Sequence, residues 1–145
     1  MIASAATVWV LIDVNEKKMV RAENYEWMHE RFYYDEPVDP AILPKKARIA
    51  QGVELFPVGQ RKIVYSDIDY NMHMNNTKYP DMVCDFLPDP VGVRVTGMSL
   101  AYHREAAYGD TVTVERADGG EGVYYFRTKK GDTVCLEAMV RTEAR

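Results

Sequence analysis

Apolar residues between positions 79 and 87 fall at a single spacing. Tyr79, Met82, Val83, Phe86 and Leu87 stand at i, i+3, i+4, i+7 and i+8, one face of an amphipathic helix. Asn75 or Asn76 can cap its start, Pro80 fits the first turn where a missing N–H costs little, and Pro88 and Pro90 end it. After residue 91 the period changes. VRVTGMSLAYHRE, DTVTVERA, GVYYFRTK and TVCLEAMVRTE are β-branched and aromatic runs, separated by YGD, DGGE and KGD, residues suited to tight turns. Before the helix, GQRKIVYSDI also reads as a strand. The order is therefore strand, helix, then a four-stranded meander.

An antiparallel sheet wrapped around one central helix satisfies that order, an α+β layout of the hotdog type. This part of the chain, residues 59–145, has the elements of a self-sufficient domain. Residues 1–58 differ. TVWVLID predicts a strand over 7–13, NEKK and MVR a charged turn and short return, and ENYEWMHERFYY a helix of about three turns. DEPVDPAILPKKAR then carries Pro37, Pro40 and Pro44 and reads as a linker. One strand and one short helix cannot bury their own apolar side chains, so this region needs a cover. An uncovered strand there exposes Trp9 and an unpaired edge, and a homodimer is the expected remedy.

Composition narrows the classes. The chain has 145 residues, 47% hydrophobic and 28% charged, as a globular protein with its own core requires. A net charge of −4 gives no basic signature of nucleic-acid binding, and no apolar run reaches membrane-spanning length. The start lacks the basic n-region of a signal peptide, so a cytoplasmic protein is expected, with Cys84 and Cys135 reduced rather than bridged.

The densest chemistry lies just before the helix, in DIDYNMHMNNTKYP. Asp67, Asp69 and Asn71 resemble the start of a calcium loop, but Met72 stands where that loop needs Gly and Lys78 where it needs Glu. Zinc would want a second nearby His or Cys, and His29 and His103 are distant in sequence. Asn75 and Asn76 suit turns and caps. Asp69, Asn71 and His73 alternate, which a turn alone does not need. A helix N-terminus beside a histidine and an amide can instead hold a carbonyl compound and a water. Cys84 sits well past the loop and no G-x-S-x-G occurs, so attack by activated water fits better than a covalent intermediate. Its general base is either Asp69 or Glu105, the latter at the end of the first run after the helix.

SDIDYNMHMNNTKY, with LAYHREA beyond the helix, resembles the acyl–acyl carrier protein thioesterase family of plants and bacteria. Members look like D-x-N-x-H-x-N-N-x-K-Y followed by L-x-Y-x-R-E-C. The resemblance implies an active-site loop bearing Asp69, Asn71 and His73, and a catalytic Glu105. It implies hydrolysis of the thioester between a fatty acyl chain and the phosphopantetheine of acyl carrier protein, a step of fatty acid biosynthesis, with neither metal nor organic cofactor. On this reading Glu105 activates the water, Asn71 and His73 position it or the thioester carbonyl, and Asp69 orients a neighbour. Ala106 replaces the family's frequent Cys, which excludes a cysteine nucleophile there. Family members look like two hotdog domains in tandem. Residues 1–58 then correspond to the last strand of a truncated N-terminal hotdog plus the interdomain linker, and 59–145 to the C-terminal hotdog. The competing expectations are a non-catalytic hotdog module and an acyl-coenzyme A thioesterase.

Overall fold

The computed structural model describes residues 4–16, 18–28, 44 and 47–145. The chain divides into two compact units, Met1–Lys45 and Lys46–Arg145. In the first unit β1 (Leu11–Ile12) and β2 (Met19–Val20) pair antiparallel. Asp13 makes the turn between them, its carboxylate accepting the N–H groups of Asn15 and Glu16 at 2.8 Å each. The strand expected over 7–13 is thus only two residues long, as an isolated two-stranded hairpin is marginal. Residues 26–28 are helical, where the longer helix was expected to begin. The rest of that helix and most of the proline-rich segment lie outside the described residues. Trp9 is 78% exposed.

The second unit holds β3 (Phe56–Lys62), α1 (Lys78–Asp85), β4 (Val93–Tyr102), β5 (Thr111–Gly120), β6 (Val123–Lys130) and β7 (Thr133–Ala144). The five strands form one antiparallel sheet in the order β3-β5-β6-β7-β4. This is the α+β hotdog fold. Two sequence expectations need correction. The strand read as GQRKIVYSDI starts earlier, at Phe56, and stops at Lys62; Tyr65–Asp67 is a 3₁₀ turn. The four runs after the helix are not a four-stranded meander either. Only β5, β6 and β7 are neighbours in sequence order; β4 pairs with β7 at the edge. The connection over 103–110 must then pass two strands, a step of about 14 Å. Eight residues reach that far easily, so the spacing alone did not demand a tight turn.

The inner face of the sheet and α1 make the core. Tyr79, Met82 and Val83 of the helix are buried together with Ile63, Val112, Val114, Phe126, Leu136 and Val140. Each such side chain contributes about 1.5–3 kcal/mol by leaving water. The helix ends at Asp85, so Phe86 and Leu87 follow it rather than complete it, although Leu87 stays buried. The β5–β6 hairpin turns through Glu121 (φ 51°) and Gly122 (φ 73°), both left-handed, as a type I′ turn requires. Cys84 and Cys135 are both free thiols, in line with the sequence expectation, and burial pushes both above their ordinary pKa.

Candidate active site

Asp67 fixes the entry of the polar loop. It is 2% exposed, its Oδ2 accepts the Val64 N–H at 3.0 Å and its Oδ1 meets Arg61 Nη2 at 2.5 Å. Burial alone would raise its carboxyl; the Val64 amide and the Arg61 guanidinium outweigh that and hold it below the ordinary value. Arg61 also reaches Asp85 near the end of α1, at 3.3 Å. The Asp67 carbonyl accepts the Asn75 N–H at 2.8 Å, so both ends of the loop are tied together.

Between those ties the chain folds back on itself. Ile68 bridges Met74, and the Asp69 N–H donates to the His73 carbonyl at 3.0 Å. Asp69 Oδ1 accepts the Asn71 N–H at 2.8 Å, an Asx turn, and Met72 adopts φ 63° to close the reversal. Asp69 therefore orients Asn71 through its backbone. The Asn71 side chain is exposed, with no protein partner among the described residues.

His73 meets Glu105 through a short ladder. His73 bridges Ala107; the Met74 N–H donates to the Ala106 carbonyl at 2.8 Å and the Tyr108 N–H to the Met72 carbonyl at 2.9 Å. Side chains alternate along such a ladder, so Met74 and Ala106 turn into the core while His73 and the diagonal Glu105 share the other face. His73 Nδ1 lies 3.1 Å from Glu105 Oε2. Their side chains are 36% and 74% exposed, open to water and to a substrate.

The helix start is less open than its sequence suggests. Thr77 occupies the cap position, and Asn75 Oδ1 accepts the Thr77 N–H at 2.9 Å while its carbonyl accepts the Lys78 N–H. Pro80 has no N–H. Fewer amides are left to face a developing oxyanion than an uncapped helix would offer. Tyr102 at the end of β4 donates to the Asn76 carbonyl at 2.9 Å and packs edge-on against the buried Tyr79, ring centroids 5.6 Å apart. Burial raises the Tyr79 hydroxyl well above its ordinary pKa.

Sequence reasoning missed Asp110, which read only as part of a YGD turn. Its Oδ2 accepts the Ala107 N–H at 2.8 Å and Lys130 Nζ at 2.9 Å. The Lys130 bond, then the Ala107 amide, hold its carboxyl below the ordinary range. Among the described residues no three His, Cys, Asp or Glu side chains converge to hold a metal. His103 Nε2 instead lies 3.3 Å from Glu137 Oε2, and His29 is outside the described residues.

The model of the acyl-ACP thioesterase C-terminal domain matches residues 56–139. The chain belongs to the acyl-ACP thioesterase family. An acyl-ACP thioesterase from Bacteroides thetaiotaomicron is 25% identical, with a TM-score of 0.68 over 91% of this chain and 53% of that one. The 12:0-ACP thioesterase from Umbellularia californica is 16% identical, with a TM-score of 0.66 over 92% of this chain and 52% of that one. A Staphylococcus aureus protein crystallised with CoA shares the fold at 18% identity, with a TM-score of 0.56 over 63% of this chain and 77% of that one. The chain spans about half the length of the first two. No curated protein matches it in sequence.

Proposed function

We propose that this chain carries the catalytic half of an acyl-ACP thioesterase and hydrolyses the thioester of fatty acyl–acyl carrier protein. The observation that carries the reading is the 3.1 Å approach of His73 Nδ1 to Glu105 Oε2. Glu105 keeps most of its side chain in solvent, where it can take a proton from an attacking water. His73, steered by the carboxylate, and the unpartnered Asn71 amide position that water or the thioester carbonyl. Asp69 holds Asn71 in place through the Asx turn. Residues 1–55 are the end of an N-terminal hotdog and its linker, and the C-terminal hotdog runs from the start of β3 at Phe56 to residue 145.

Hydrolysis of a panel of acyl–carrier thioesters by the chain, beside Glu105→Ala and His73→Ala, tests this. Both variants should lose about 100-fold or more in kcat. A parent chain that folds yet leaves every acyl–carrier thioester intact overturns the reading. The half-length match to the family structures favours a second reading, a non-catalytic hotdog module that binds acyl groups or dimerises. Activity on acyl-coenzyme A but not on carrier thioesters would instead move the substrate class.

A homodimer is part of the proposal. Val8, Trp9 and Val10 are exposed, and β4 is a ten-residue edge with one paired neighbour among the described strands. Light scattering should give twice the chain mass; a monodisperse monomer at all concentrations overturns it.

A further inference from the structure

We propose that Asp110 is a positioning residue for the reaction, holding the segment that carries Glu105 in register with the loop that carries His73. This rests on the reading of His73 and Glu105 as the reacting pair.

Three hydrogen bonds lead from Asp110 to that segment and to Ile63, the residue just past β3. Its carboxylate accepts the Ala107 N–H, its own N–H donates to the Ala107 carbonyl at 3.1 Å, and its carbonyl accepts the Ile63 N–H at 2.8 Å. Gly109, at φ 86°, allows the reversal and returns an N–H to the Ile63 carbonyl at 3.0 Å. Ala107 is the residue that bridges His73. The clamp thus grips the ladder residue directly opposite the histidine, two positions from Glu105. Ile63, fully buried, is the fixed point. Glu105 itself is largely in solvent and has no buried packing to hold it. Its place beside His73 depends on the backbone, and the backbone depends on the Asp110 clamp. Lys130 holds the same Asp110 oxygen from β6, which fixes the carboxylate's rotamer.

Two substitutions separate geometry from charge. Asp110→Asn keeps an acceptor for the Ala107 N–H and loses the charge. Asp110→Glu keeps the charge and moves the acceptor by one carbon–carbon bond. Positioning predicts an Asn variant within about threefold of the parent kcat, and a Glu variant down roughly 10- to 100-fold with KM nearly unchanged, since a 1 Å misplacement costs on that scale. An Asn variant no better than the Glu variant, or a Glu variant equal to the parent, overturns the proposal.

A second readout is independent of turnover. The imidazole signals of His73 are recorded by NMR at one fixed pH in the parent, Asp110→Glu, and each of these combined with Glu105→Gln. In the parent, Glu105→Gln should shift those signals, because it changes the group 3.1 Å from Nδ1. With Asp110→Glu in place, Glu105→Gln should shift them much less, because the two side chains no longer meet. An equal shift in both backgrounds overturns the proposal even if the chain hydrolyses nothing. Conversely, absent hydrolysis together with a lost shift overturns only the thioesterase reading.

Discussion

Thr128 sits at 0% exposure on the inner face of β6, and its hydroxyl finds no hydrogen-bond partner among the described residues. A buried donor left unpaired costs about 1–3 kcal/mol, whereas an apolar group of the same shape costs nothing of the kind. Thr128→Val should therefore raise stability by about 1 kcal/mol, read as a higher Tm in calorimetry. The Arg61–Asp67 pair runs the other way. Arg61→Met leaves a buried carboxylate with one amide donor and should cost about 2–3 kcal/mol in denaturant unfolding, reduced from the fully buried case because Arg61 is partly exposed. The pair also has a pH signature. Asp67 is held below its ordinary value of 3.8, so its contribution is present above that pH and is lost as pH falls through the lower folded value. Asp67→Asn should flatten the stability profile between about pH 2 and pH 5, compared by thermal melts across that range.

The β5–β6 hairpin shows what an element can gain. Glu121 holds a left-handed conformation that Asn adopts more readily, beside Gly122 where a Cβ would strike the Thr142 carbonyl. Glu121→Asn should raise Tm by about 2–4 °C, while Gly122→Ala should lower it. This turn was readable in DGGE, as was the helix in its 3.6-residue period and the strands β5, β6 and β7 in their β-branched and aromatic runs. The termination of β3 was not. Ile63, Val64 and Ile68 keep a strand-like composition, but Asp67 takes the Val64 amide and bends the chain into a 3₁₀ turn. A side chain competing for a backbone donor leaves no trace in apolar periodicity. The place of β4 was equally hidden, because periodicity gives faces and not neighbours.

For the whole molecule, the polar loop stood out in the sequence, with Asp69, Asn71 and His73 singled out by their alternation and by the resemblance. Glu105 was reached as a strand-end charge and through the resemblance; its contact with His73 was not. What joins it to His73 is a crossing of segments more than thirty residues apart, made where the chain leaves the sheet's edge strand. That seam has a consequence for how the protein fails on warming. Edge segments open at lower free energy than the centre of a sheet, because fewer neighbours must be given up. The Met74 and Tyr108 amides, which form the seam's bonds, should exchange with deuterium faster than those of Phe126 and Leu136 in the middle of the sheet. On the proposed function, heat should then erase turnover several degrees before far-ultraviolet circular dichroism records any loss of strand, and cooling should bring it back.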